Sequence, residues 1–329
     1  MIAIGNKRIT FSAFIFSLLL FWLCKLDCNS QNGWHYVPFE ESMEKVGNCY
    51  EAFIRKRRKR CRYINYGMRN IEMFHFFRNL YKTNILPLSP RLQRTRRHDE
   101  SNKKPGGIPK IIHQIWLGSE LPERFKKLTE TWKKHNPSWE YKLWTDEDAK
   151  KFNLSNRDLF EKSNRYDEKS DILRYEILYQ HGGLYVDTDF ECFKSFDILN
   201  ENFQFYCGVE PLLAHQVMLG NALIASIPGH PILKHCIEQM KDNVEHMESV
   251  MTGGRTCKFF KKCFVCFKTG PYYLTKILIE TVKGLNKEER EKVITFPASY
   301  FYPIFFNDPT VQAFDESFGV HLWDASLKK

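Results

Sequence analysis

Residues 108–329 predict an α/β domain with a mainly parallel sheet. From Ile108 onward, short β-prone runs alternate with helix-length runs. One helical run stops at Gly182-Gly183 and passes straight into a short strand that ends on two carboxylates, Asp187 and Asp189. Strand–helix alternation is the pattern of sheets whose parallel neighbours are joined by helical crossovers. Ligands of such sheets sit outside the carboxyl ends of the strands, where these aspartates fall.

The elements follow in order. Ile108–Leu117 is apolar and β-prone, a buried first strand. Pro122–Asn136 carries Phe125, Leu128 and Trp132 at helical spacing, and Asn136-Pro137 stops it. Trp139–Trp144 alternates as a second strand. Lys169–His181 reads as a helix, some 20 Å long at the usual rise of about 1.5 Å per residue, closed by the glycine pair. Leu184–Val186 is the strand that delivers Asp187-Thr188-Asp189. No internal repeat is visible.

The N-terminal part has a different texture. Lys7 and Arg8 precede an uncharged run from Ile9 to Cys24, closed by Lys25. It is shorter than the usual span of about 20 residues but longer than a typical signal-peptide core, with no clean small-x-small cleavage site after it. The expectation is a cytosolic tail (1–8), a retained signal anchor (9–24), a lumenal basic stem (25–107) and a catalytic domain (108–329). A cleaved signal peptide is the rival. The basic flank keeps the N-terminus cytosolic, giving a single-pass type II Golgi membrane protein with a lumenal domain.

Charge is concentrated in the stem. Residues 51–104 hold 16 Lys/Arg against 4 Asp/Glu, so of the net +10 they carry +12, residues 1–50 balance, and residues 105–329 carry −2. A nearly neutral domain does not track a phosphate backbone, which argues against a nucleic-acid partner. The basic runs, such as Arg55–Arg60, are expected to be a solvated tether, while Ile71–Leu80 is apolar enough for a helix. Nine cysteines lie beyond the apolar run, a density that suits an oxidising lumen with some disulfides. Asn153-Leu154-Ser155 is a glycosylation acceptor triplet. Cys257-x5-Cys263-x2-Cys266 has thiolate spacing without a second pair, and a disulfide is the simpler reading than zinc.

The chemistry centres on Asp187-x-Asp189. A departing nucleoside diphosphate must have its charge neutralised, and a hard divalent cation with oxygen ligands does this. Two carboxylates one residue apart at a strand end can share Mn2+ or Mg2+ and leave positions open for phosphate. No P-loop, dinucleotide fingerprint or Gly-x-Ser-x-Gly elbow competes.

The segment Ser170–Asp189, SDILRYEILYQHGGLYVDTD, resembles the DXD-containing sugar transferases. These include the yeast initiating α-1,6-mannosyltransferase, the inositol-phosphoceramide mannosyltransferases and, more distantly, the clostridial glucosylating toxins. Ile108–Trp116, Ile227–Pro231, Thr269–Pro271 and His321–Trp323 carry further matches. The resemblance implies a GT-A-like, Rossmann-type fold and a retaining transferase. Its donor would be a UDP-hexose, a UDP-N-acetylhexosamine or GDP-mannose, and its acceptor a glycan or glycolipid. It assigns Asp171 and Arg174, on one helix face, to the donor's sugar hydroxyls and diphosphate, Tyr185 and Trp116 to the nucleotide sugar, and Asn221 to the sugar ring. His321, Trp323 and Ser326 match a closing His-x-Trp-x-x-Ser motif, a segment that the resemblance implies folds over the diphosphate and completes the metal shell. Leu327 stands where members carry a Trp. His113 reads as a satisfied core histidine. No enzymatic nucleophile is evident, which favours front-face transfer. A glycoside hydrolase needs carboxylates about 5–10 Å apart across the sugar, which neighbours at i and i+2 cannot supply. The remaining alternative is an inactive binding or scaffold protein that keeps the fold.

Overall fold

The structure is a computed structural model, described for residues 36–45, 70–85, 107–210, 217–252, 264–303 and 313–324. The expected anchor at 9–24, most of the basic clusters, Ser326 and the cysteines 28, 49, 61, 257 and 263 lie outside the described residues. Among the described residues no helix is long and apolar enough to cross a membrane.

A six-stranded sheet forms the centre, in the order β2-β1-β3-β6-β5-β7. Its strands are β1 (Ile111–Ile115), β2 (Glu140–Trp144), β3 (Gly183–Val186), β5 (Phe205–Val209), β6 (Leu219–Ser226) and β7 (Val293–Phe296). The pairs β1·β2, β1·β3 and β5·β7 are parallel, and β6 alone runs against both of its neighbours. Every residue of β3, β5 and β6 is buried, which is why these strands read as continuous apolar runs instead of alternating. A second, two-stranded ribbon pairs β4 (Phe190–Cys192) with β8 (Gly319–His321).

The helices fall close to the expected ranges. We label five of them: α1 (Phe39–Lys45), α2 (Asn70–Ile85), α3 (Glu123–His135), α4 (Tyr166–His181) and α5 (Pro271–Gly284). α4 starts with Asp167 and Glu168 and ends with His181, the charge order that the helix dipole favours. Gly182 closes it at φ 65°, and Gly183 follows at φ 99°. A side chain at Gly183 would meet the Ile111 carbonyl at 2.7 Å and His113 Nε2 at 3.0 Å. The glycine pair therefore both ends the helix and lets β3 slot against β1.

Two segments of the expected tether belong to the packed fold. α1 packs on the short 3-10 turn at Ala298–Tyr300 and α2 on β7. Phe39, Phe77 and Tyr81 are fully buried, and Tyr81 donates to the Val37 carbonyl at 2.9 Å. α2 contains the helix expected over Ile71–Leu80, while α1, outside the basic stretch 51–104, packs where a tether is expected. The buried thiols Cys192, Cys207 and Cys236 are unbridged, so the expectation of disulfides does not apply to them. Asn153 is exposed.

Candidate active site

The site forms at the carboxyl end of β3, where three backbone ties fix the aspartate turn. Asp187 N–H donates to the Ala222 carbonyl at 2.8 Å. Gln114, at the end of β1, donates to the Asp187 carbonyl at 3.3 Å and is itself held by Thr129 and Tyr141. On the far side of the turn, Trp132 of α3 donates to the Phe190 carbonyl at 2.8 Å.

The β4·β8 ribbon then brings a distant segment to the same place. Its register sets His321 opposite Phe190, and Leu322 N–H donates to the Asp189 carbonyl at 3.0 Å. His321 Nε2 lies 3.1 Å from Asp189 Oδ1 and 4.0 Å from Asp187 Oδ2. Its ring is stacked on Phe190, at 5.5 Å and 14°, and Trp323 covers it at 4.4 Å. Trp323 has φ 55°, the one non-glycine residue among those described in the left-handed region, a conformation that persists where surrounding contacts impose it. Asp324 N–H donates to Asp189 Oδ2 at 2.8 Å.

Beneath the aspartates sits a buried polar cluster from α4. Asp171 accepts from Asn221 at 2.7 Å and from Thr269 at 2.8 Å, and pairs with Arg174 at 3.2 Å. Arg174 also reaches Asp187 Oδ1 at 3.4 Å, donates to the Asn221 carbonyl and lies over the Tyr185 ring at 4.5 Å. Tyr185 donates to Asp187 Oδ1 at 2.6 Å. The Asn221 carbonyl is available to Arg174 because the β5·β6 register breaks. Cys207 pairs with Ile224 but Gly208 with Gly220, so residues 221–223 bulge away from β5. The Tyr302 ring fills that gap, lying so close to Gly208 and Gly220 that a Cβ at either would meet it within 2.8 Å.

The electrostatics follow from burial and pairing. Burial pushes the Asp171 carboxyl up to about 7 against the opposing pull of Arg174. Burial likewise raises Asp187, with Arg174 working against it. At Asp189 burial is outweighed by His321, and the carboxyl ends below its ordinary value. His321 is reciprocally raised by Asp189 in spite of its burial. His113 is a core residue: Trp144 Nε1–H donates to its Nδ1 at 3.2 Å and its Nε2 faces the Gly182 carbonyl at 2.9 Å. That pattern assigns its proton to Nε2, and burial lowers its pKa to about 4.

The donor set suits a divalent cation. Ligand atoms of Asp187, Asp189 and His321 lie within 4.8 Å of one another; the two carboxylates suit Mn2+ or Mg2+, and the imidazole turns the preference to Mn2+ over Mg2+, which takes oxygen ligands. His321 Nδ1 is buried without a hydrogen-bond partner, an imidazole whose requirements the protein alone does not meet.

The remaining expected residues are placed as follows. Trp116 lies just past β1, 7% exposed, with its ring 5.2 Å from Phe125 and its N–H donating to Ser119. Thr269 and Gly270, in one of the matching stretches, abut Asp171. Gln114, Tyr302 and Glu210 were not singled out in the sequence. Glu210 is a buried carboxyl one residue beyond β5, pushed up to about 7 by burial, and the periodicity of the buried strand gave no sign of the residue that follows it.

Residues 122–206 match the glycosyltransferase sugar-binding region containing the DXD motif. The resemblance is to the DXD glycosyltransferases. Inositol phosphoceramide mannosyltransferase 3 of Schizosaccharomyces pombe is 28% identical over 219 residues, 62% of this chain and 53% of that protein. The human alpha-1,4-N-acetylglucosaminyltransferase is 27% identical over 170 residues, 47% of this chain and 42% of that protein. The chain thus spans about half the length of the curated relatives it matches. The catalytic domain of alpha-toxin from Clostridium novyi is 12% identical, with a TM-score of 0.39 over 85% of this chain and 88% of that one.

Proposed function

We propose that this protein is a metal-dependent, retaining glycosyltransferase with a GT-A-like catalytic domain. It transfers a sugar, with mannose the first to test, from a nucleotide sugar to a glycolipid hydroxyl in the secretory pathway. The observation that carries the reading is the clustering of Asp187, Asp189 and His321 at the end of β3, inside and beside the matched DXD region. The S. pombe relative's name supports mannose and an inositol phosphoceramide acceptor, and the human relative's supports N-acetylglucosamine.

A divalent cation held by Asp187, Asp189 and His321 supplies the charge neutralisation that a departing diphosphate needs. The chain's own residues fix the rest. Tyr185 and Arg174 hold one oxygen of Asp187, leaving the other toward His321. Arg174 stays cationic and adds positive charge under the site, while Asp171 and Asn221 hold it in place and stand ready for sugar hydroxyls. Trp116 and Tyr185 are assigned to the nucleotide sugar. Trp323, with Ser326 beyond the described residues, covers the diphosphate. Front-face transfer leaves the acceptor's proton to the leaving phosphate oxygen.

The test is incubation with Mn2+ and a panel of GDP-mannose, UDP-N-acetylglucosamine and UDP-glucose, with inositol phosphoceramide vesicles as acceptor. One donor should give glycolipid product, and proton NMR of its anomeric centre should show the donor's configuration kept. An inverted linkage refutes retention. Tight donor binding without turnover supports the inactive scaffold.

A further inference from the structure

The sheet ends on two carboxylates flanking one strand, and the reading above uses one of them. β3 and β5 run in the same direction on either side of β6. Asp187 stands one residue beyond β3 and Glu210 one residue beyond β5. Asp187 N–H is tied to the Ala222 carbonyl of β6 at 2.8 Å, and Glu210 N–H to the carbonyl of Met218, the residue just before β6, at 2.9 Å. Glu210 is therefore the counterpart of Asp187 across β6, at the sheet edge where ligands of such folds bind.

Glu210 is 4% exposed, and no described residue donates a hydrogen bond to its carboxyl. Its charge acts on His321, Asp187 and Tyr302, and its place in the chain sets it at the same edge of the sheet as Asp187. A largely buried carboxyl gains from a hydrogen-bond donor, and because the Glu210 oxygens are not among the fully enclosed unpartnered atoms, a ligand hydroxyl can reach them. Its oxygens are not among the clustered cation ligands. On the other side of β6, Asp171 already accepts from Asn221 and Thr269 and pairs with Arg174, whereas no hydrogen bond among the described residues engages the Glu210 carboxyl.

We infer that Glu210 accepts a hydrogen bond from a sugar hydroxyl, supplied either by the sugar in transit or by the acceptor that receives it. This rests on the glycosyltransferase reading above. A site built to hold a hydroxyl discriminates strongly, because its buried polar group is stranded when the hydroxyl is missing.

The test compares full-length wild type with Glu210→Ala and Glu210→Gln, after melting curves confirm that both variants fold. Calorimetry in Mn2+ gives the affinities for GDP, GDP-mannose, UDP and UDP-N-acetylglucosamine. Product analysis then gives the ratio of transfer, to inositol phosphoceramide vesicles or methyl α-mannoside, to donor hydrolysis. Affinity for the bare diphosphates should stay within about twofold in both variants. Glu210→Ala should lose about tenfold or more in one of two quantities. A loss in the extra affinity that the sugar adds to the nucleotide assigns the contact to the donor. A loss in transfer relative to hydrolysis assigns it to the acceptor. Glu210→Gln keeps an acceptor oxygen and should retain part of either. No change in both quantities overturns the assignment, and so does an equal loss of diphosphate affinity, which marks a packing role. Wild type that binds none of the four probes sinks the parent reading and this inference with it, a failure visible before any variant is made.

Discussion

His321 Nε2 lies 3.1 Å from Asp189 Oδ1, although the two residues are 132 positions apart in the chain. The β4·β8 ribbon makes that contact, and its closest approach is at Gly319. A Cβ there would lie 2.6 Å from the Glu191 carbonyl oxygen, a backbone atom that cannot swing aside. Gly319→Ala should therefore push β8 off β4 and carry His321 away from the aspartates. Mn2+ affinity, followed by electron paramagnetic resonance, should fall about tenfold, in line with the loss of one ligand or its support. Unchanged affinity would show that the ribbon does not position His321.

Asn221 is the neutral partner that lets Asp171 sit buried beside Asp187. Asn221→Asp would set a second carboxylate against Asp171 where the amide now donates at 2.7 Å. Like charges that close cannot both ionise, so Arg174 should be drawn from Asp187 and donor affinity should fall. The expected loss of stability is about 2–4 kcal/mol, read from urea melts. Asn221→Ser, smaller and neutral, should cost less. Equal effects of the two would contradict an electrostatic role.

The N-terminal helices are predicted to be part of the catalytic unit. Lys45 pairs with buried Glu316 at 3.1 Å, and Ser42 meets Ser299, which donates to Glu316, just before β8. A chain beginning at residue 36 should melt cooperatively. One beginning at residue 107 leaves the seats of Phe39, Phe77 and Tyr81 empty, and should melt at least about 10 °C lower, since roughly 1 kcal/mol moves a domain of this size by 2–4 °C. Equal melting temperatures would restore the simple tether.

Acid should weaken the fold through two buried histidines. Burial lowers His113 and His230 to about 4, against an ordinary 6.5. Between those values the unfolded chain binds the protons and the folded chain does not, so stability is complete above about 6.5 and declines as pH falls toward 4. Each residue contributes on the order of 3 kcal/mol to that decline. Melting temperature should drop between pH 7 and pH 5, and His113→Gln should flatten the slope. A slope that the substitution leaves unchanged would place the titrating groups elsewhere.

Much of this was legible in the chain because local patterns carried it. The glycine pair after a helical run located the end of α4 and the start of β3, and the two aspartates located the site. The ribbon was not legible, since pairing Phe190 with His321 depends on contacts distant in sequence. Nor was the bulge at 221–223, which follows from the bulk of Tyr302 against Gly208 and Gly220. Glu210 was missed because a strand buried on both faces shows no periodicity from which the residue after it could be placed at the edge that carries the aspartates. The tether expectation failed for α1, whose burial of Phe39 depends on contacts distant in sequence, whereas the helix expected over Ile71–Leu80 is found in α2.

The central claim is that Asp187, Asp189 and His321 together hold a divalent cation for a nucleotide sugar. Calorimetric titration of GDP and UDP into full-length protein, with and without Mn2+, tests it most directly, with Asp189→Asn and His321→Gln alongside. The account predicts that one nucleotide binds only when Mn2+ is present, and that each substitution weakens that binding at least about tenfold while the melting temperature holds. Binding that is indifferent to Mn2+, or that survives both substitutions, would contradict it.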